Sequence, residues 1–210
     1  MNENFFNSRL FNFFTGFTNL LLVNVCWIAL CLPIFTAGAS TAALYFCMEQ
    51  QRTDDLVYPV KTFWKAFREN FKQGTILLVI VALVAAVAVV DVFLILRLHK
   101  LLGGIVTLIL LLPFILTLPA LFYIFPLQGN YENTVKNTLL NAWKMAMAHP
   151  LTSIGVIVIN VLPIAAGLMF PIILPYVIML SLAFGGAVPA LLSMMLLHRV
   201  FYQYDENEEE

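Results

Sequence analysis

Few side chains in this sequence are equipped for chemistry, and most of those stand inside apolar runs. Asp91 is the one acidic residue within a spanning block. At mid-bilayer its charge would cost roughly 2.5 to 3.5 kcal/mol, so its place near the outer third of the block predicts headgroup contact or a pairing with Arg97 or Lys100 across the turn. Asn24 and Asn160 also lie in apolar runs, where an amide usually bonds another helix. Convergence of Asn24, Asp91 and Asn160 on one cavity would instead mark a path for a solute. His99, His149 and His198 fall at segment boundaries, His99 on the opposite side from the other two, which argues against a shared metal site. Cys26, Cys31 and Cys47 have no Cys-x-x-Cys spacing and read as small packing residues. A phosphate loop, a His-Glu-x-x-His pair and a Ser/His/Asp set are all missing from the sequence, so the expectation is a protein with no catalytic residues, cofactor or metal.

The elements that hold these residues follow from composition. Of 210 residues, 61% are hydrophobic and 11% charged, against about 25% charged in a soluble domain. The apolar residues come in long blocks, with a mean hydropathy of +0.91, and such blocks need the bilayer as solvent. At about 20 residues per crossing, the chain predicts an all-α, polytopic helical membrane protein. Its five or six membrane segments would be arranged as hairpins with interfacial amphipathic helices, in a single domain over residues 1–204. With no dense basic stripe, nucleic acid is not an expected partner. The N-terminus lacks a basic region and cleavage site, so the first apolar block is expected to stay as an anchor.

Along the chain, a Phe-rich interfacial helix is expected over about 4–16 and a first hairpin over about 17–50, broken at Leu32-Pro33. Its second arm, Ile34 to Met48, is rich in small residues that let helices approach closely, but it is short for a crossing, which leaves the count at five or six. A cytoplasmic amphipathic helix follows over about 60–73. Phe63, Trp64, Phe67 and Phe71 share one face, and Lys65, Arg68, Glu69 and Lys72 share the other. The second hairpin spans about 74–125. A further amphipathic helix, about 131–149, sets Leu139, Leu140, Trp143 and Met147 against Lys136, Asn137, Asn141 and Lys144. The third hairpin, about 150–200, contains Pro163, Pro171, Pro175, Gly185, Gly186 and Pro189 as expected kinks. The tail at 205–210 is acidic and expected to be disordered. Trp64-Lys65 and Trp143-Lys144 each precede a spanning helix, which suggests a repeated unit of interfacial helix plus hairpin.

With six segments, Arg9, Arg52, Lys61, Lys65, Arg68, Lys72, Lys136, Lys144 and Arg199 share one side, and only Arg97 and Lys100 the other. With five, only Arg9 changes side. The positive-inside rule then puts the large loops and the C-terminus in the cytoplasm. The two amphipathic helices become the candidates for function, either as interface anchors in the lipid bilayer or as docking faces. The docking candidates are Phe63, Trp64, Lys65, Phe67, Arg68, Asn70, Phe71 and Lys72.

The stretch Leu32-Pro33-Ile34-Phe35-Thr36-Ala37-Gly38-Ala39-Ser40-Thr41-Ala42-Ala43-Leu44-Tyr45, followed by Phe63-Trp64-Lys65-Ala66-Phe67-Arg68-Glu69-Asn70-Phe71-Lys72-Gln73, resembles the YesL family of bacterial integral membrane proteins. The patterns are L-P-I-x-T-x-G-x-x-T-x-A-L-Y and F-F-x-x-F-K-x-N-F-K-Q, with Trp64 and Arg68 standing where Phe and Lys are usual. The family has no established biochemical activity. Its members are typically encoded beside carbohydrate importers of the ATP-binding-cassette (ABC) type and two-component sensor systems in Gram-positive bacteria. The resemblance therefore implies a multi-pass plasma-membrane protein, accessory to carbohydrate uptake or its signalling, with an ABC importer or a sensor kinase as partner. The alternative is a small transporter or permease-like subunit with a path between hairpins.

Overall fold

A chain crossing hydrocarbon must satisfy its own backbone, because no water is there to do so. The regular elements among the described residues are accordingly all helical. The computed structural model describes residues 3–53, 56–97 and 117–209. Helix α1 is Glu3–Cys31, and a 3-10 turn at Ile34–Thr36 leads into α2, Ala37–Arg52. Then come α3, Pro59–Arg97, and α4, residues 117–130. The remaining helices are α5, Val135–Ala148, α6, Pro150–Met169, α7, Leu174–Phe184, and α8, Ala187–Glu209. His99, Lys100, the side chain of Arg97 and the first part of the apolar segment expected from Ile105 lie outside the described residues.

Three helical stretches are long and apolar enough to cross a membrane: Phe11–Cys31, Pro59–Asp91 and Pro150–Met169, with mean hydropathies of 1.7, 2.7 and 2.1. Leu174–Phe184 and Ala187–Tyr202 meet at a 70° bend and make a fourth if taken as one broken span. This is the architecture of a helical membrane protein. Five or six spans are expected from sequence, against three or four among the described residues. Helix α2 falls short because its 16 residues extend only about 24 Å, against a hydrocarbon core of about 30 Å.

The ends of α1 and α2 follow from Pro33. The residue before a proline is driven out of helical geometry, so α1 stops at Cys31. The Thr36 amide then donates to the Pro33 carbonyl at 2.8 Å and its hydroxyl to the Leu30 and Pro33 carbonyls. Helix α2 runs back along α1: Ser40 Oγ donates to the Trp27 carbonyl at 3.1 Å, Trp27 Nε1 to Thr41 Oγ1 at 3.2 Å, and Asn19 Nδ2 to Gln51 Oε1 at 3.0 Å. Toward the N-terminus α1 is one continuous helix from Glu3, with no break near residue 16 to set off a separate interfacial helix.

Helix α2 is the hub. Gly38, Ala39, Ser40, Ala42 and Ala43 are all buried on it, and each neighbour uses their smallness. A Cβ at Gly38 would lie 2.1 Å from the Gly74 carbonyl oxygen, and one at Gly129 would lie 2.3 Å from that of Ala42. Helices α3 and α4 thus touch α2 backbone to backbone, the close approach that replaces hydrophobic driving force in lipid. Leu44, Met48, Phe63, Leu77, Tyr123 and Leu197 complete the core around it.

Helix α3 has 39 residues and extends about 58 Å, roughly twice the hydrocarbon thickness. The cationic front and the apolar remainder are therefore one rod. On α5, Thr134 caps the first turn by accepting from the Asn137 amide. Its buried residues are Thr138, Ala142, Met145 and Ala146, not the Leu139, Leu140, Trp143 and Met147 stripe; Leu140 and Trp143 face outward. Leu139 and Met147 are half-buried against the same core, so the stripe divides between protein and the outside.

Helix α8 carries the chain through Glu209, so 205–209 are helical and not the disordered tail expected. Glu is a good helix former, and the segment extends a helix already nucleated and anchored by buried Val200 and Phe201.

Helices α4 and α6 are joined by Tyr123, whose hydroxyl lies 3.0 Å from Ser153 Oγ in a fully buried setting. Tyr123→Phe should lower stability by about 1 kcal/mol, the net worth of one neutral hydrogen bond. Thermal unfolding in detergent checks this. Ser153 also faces the Ala146 and His149 carbonyls, at 2.9 and 3.1 Å, so it is not left unpaired and a larger loss is not expected.

Candidate functional site

The break between α7 and α8 is built from Gly185 and Gly186, with Pro189 just beyond. Breaking a helix in an apolar region exposes carbonyls at one end and amides at the other, and here a single side chain meets both. Asn24 Nδ2 donates to the Leu182 carbonyl at 2.9 Å, while Asn24 Oδ1 accepts from the Gly186 and Ala187 amides at 2.8 and 3.1 Å. Asn24 is fully buried. Its neighbour one turn on, Trp27, lays its ring over Gly186, where a Cβ would fall 2.5 Å from the indole.

Below this break opens a cavity of about 700 Å³ between α1, α2, α4, α6, α7 and α8. Trp27, Tyr45, Phe122, Phe184 and Pro189 form much of its wall, and Asn160 is its most polar lining residue. Asn160 Nδ2 donates to the Val156 carbonyl at 2.8 Å and to Ser193 Oγ at 3.0 Å. Of the three intramembrane polar candidates, Asn24 thus holds the break and Asn160 lines the cavity that the break creates. Asp91 is half-buried on α3 and is not part of that lining.

The docking candidates divide between the two sides of α3. Phe63 and Phe67 are buried in the core. Asn70 donates to the Ala66 carbonyl at 2.9 Å and accepts from Gln128 Nε2 at 2.8 Å, so it ties α3 to α4. Gln128 is itself buried, and its Oε1 has no partner among the described residues. Trp64, Lys65, Arg68, Phe71 and Lys72 stay on the outside. Tyr58, Lys61, Trp64, Lys65, Arg68 and Glu69 there border a shallow groove of about 630 Å³. Lys65 and Glu69 are 4.0 Å apart and well exposed, a pair that contributes little. The surface is therefore cationic and aromatic.

A third polar group joins α2 to α8. Arg52 grips Glu49 with two bonds, Nε to Oε2 at 2.9 Å and Nη2 to Oε1 at 2.6 Å, and Nη2 also meets His198 Nδ1 at 3.0 Å. The hydrogen bond to Glu49 pushes the Arg52 pKa up, holding the guanidinium charged. His149 stands apart at the start of α6, and Cys26, Cys31 and Cys47 are free thiols. Among the described residues no group of three His, Cys, Asp or Glu side chains is placed to hold a metal.

Sequence reasoning singled out Asn24, Gly185 and Gly186 separately and missed that they meet. An amide in one apolar run and a Gly-Gly pair in another is the available signal, but their pairing across more than 160 positions is a tertiary fact. The Glu49–Arg52–His198 group was missed for the same reason. No curated protein and no solved structure matches the chain. Residues 20–92, which cover the C-terminal part of α1, all of α2 and most of α3, match the model of a family described as a protein of unknown function, DUF624.

Proposed function

We propose that this chain is a non-enzymatic, multi-pass protein of the bacterial plasma membrane that docks a protein partner through the outer face of α3. In this reading the large loops and C-terminus are cytoplasmic, α2 returns beside α1 as the second arm of a hairpin, and the segments number five or six. The observation that carries it is the division of labour on α3. Phe63 and Phe67 secure the helix to its own core, so Trp64, Lys65, Arg68 and Lys72 are not needed to hold it in place and remain outside. The partner inferred from the family resemblance is a carbohydrate importer of the ABC type or a two-component sensor kinase, which makes the protein an accessory to sugar uptake or its signalling.

The test is crosslinking in membranes that co-express the importer or kinase subunits. Changing Lys65, Arg68 and Lys72 together to Gln should cut the crosslinked yield severalfold while expression and detergent elution stay unchanged. An undiminished yield would refute docking through this face.

A small permease-like subunit is the second reading, favoured by the broken α7–α8 pair, since discontinuous helices form solute sites in many transporters. It has less support. Asp91 stands outside the cavity, and a sugar needs more hydrogen-bonding groups than this lining offers.

A further inference from the structure

The cavity under the α7–α8 break does not end there. A second cavity of about 380 Å³ lies along α6 and α7, and the two share Trp27, Ile164, Val177 and Ser181 in their walls. Together they form one continuous furrow, lined from Asn160 to Leu168 on α6 and from Leu174 to Phe184 on α7. Their volumes fall within the roughly 300–1,000 Å³ of small-molecule pockets. The walls come from α1 and α6, helices apolar enough to cross a membrane, and from the bent α7–α8 pair, so the surrounding solvent is hydrocarbon. No Lys, Arg, His, Asp or Glu lines either cavity among the described residues, and a charged headgroup would enter with no counter-charge.

The polar groups in the furrow are few and mostly committed. Trp27 Nε1 donates to Thr41 Oγ1, which itself donates to the Ala37 carbonyl at 2.8 Å. Asn160 commits its NH2 group to Val156 and Ser193, which leaves its carbonyl oxygen as an acceptor. Ser181, shared by both cavities, lies at the open edge with its hydroxyl available. An acceptor and a hydroxyl in an otherwise apolar, uncharged furrow select for a ligand that is a hydrocarbon chain with one neutral donor-acceptor group.

We propose that this furrow binds a neutral single-chain lipid ending in a hydroxyl, its chain lying along α6 and α7 and its hydroxyl meeting Asn160 and Ser181. The lining runs about 12 Å along α6 and about 15 Å along α7, a length that favours one extended chain over a compact ring system. Its neutrality excludes the phosphate of ordinary membrane lipids from the inner part. This inference is independent of docking at α3.

The test uses the full-length protein in nanodiscs and hexadecanol bearing a chain diazirine. Photolabelling should map to α6, α7 and the first turns of α8. Unlabelled hexadecanol should displace the probe. The methyl ether of the same chain, which cannot donate to Asn160, should compete roughly fivefold less well, the equivalent of one neutral hydrogen bond, and the phosphate monoester should compete poorly. Ile164→Trp, a filling change at an outward-facing position, should abolish the label while elution and thermal unfolding stay as in the parent. Ser181→Ala, also at an exposed position, should narrow the difference between alcohol and ether. Label spread evenly over the outer faces of α1, α3 and α6 would overturn the proposal. So would equal competition by the ether, or an Ile164→Trp protein that is folded and still labelled.

Discussion

Asn24→Leu is expected to be the most damaging single polar change in the molecule, lowering stability by about 3 kcal/mol or more. Leu keeps the branching of Asn at Cγ but is bulkier, so some crowding adds to the loss of the hydrogen bonds. Three of them go at once: the Leu182 carbonyl loses its donor, and the Gly186 and Ala187 amides lose their acceptor. Each buried backbone group left unpaired costs about 1–3 kcal/mol, and in hydrocarbon no water can replace the lost partner. The measurement is thermal unfolding of purified protein in detergent, together with cysteine accessibility of residues flanking Gly185. A large fall in the unfolding temperature with raised accessibility at the break is the expected result. An unchanged melting curve would mean that α7 and α8 hold their bend without Asn24.

Gly38→Ala is expected to match or exceed that loss by a different mechanism. The new Cβ would sit 2.1 Å from the Gly74 carbonyl oxygen and 2.9 Å from Leu78 Cβ. Because the nearer atom is backbone, no side-chain rotation relieves the clash, and α2 and α3 must separate along their whole crossing. Overpacking costs typically 1–3 kcal/mol and occasionally more, and the hub position of α2 places this case at the upper end. Gly74→Ala is the control from the other helix, since its Cβ would meet the Ala39 amide nitrogen at 2.7 Å. Both variants should show reduced yield of monodisperse protein and a lowered unfolding temperature, whereas Gly155→Ala, which meets only the tip of Leu196 at 3.0 Å, should be mild. Equal behaviour of all three would refute a backbone-to-backbone crossing.

These two predictions show which parts of the protein were legible from residues alone. The break after α1 was, because Pro33 restricts its predecessor by local sterics. The small-residue character of 37–43 was also legible, and it correctly favoured close packing. The double use of α3 was only half legible. Its period of aromatic and cationic residues predicts an amphipathic helix, but periodicity cannot say that Phe63 and Phe67 face protein while Trp64 and Phe71 face outward, since both environments are apolar. The same ambiguity leaves the inner face of α5, Thr138, Ala142, Met145 and Ala146, unmarked in the sequence.

Composition alone predicts a disordered acidic end, yet residues 205–209 continue α8, because the helix before them is anchored by packing that composition does not reveal. The side chains of Arg97 and Lys100, the expected partners of Asp91, are outside the described residues.

The sequence by itself determined that this is a helical membrane protein with a cationic, aromatic face near residues 58–72. Those are properties of hydropathy, charge and local period, which act over neighbouring positions and need no fold. The tertiary structure alone decided that Asn24 closes the ends of a broken helix and that Asn160 lines the cavity below it. A lone amide in an apolar run announces only that it needs a partner. Which partner it finds depends on helices brought together by glycine contacts far away in the chain.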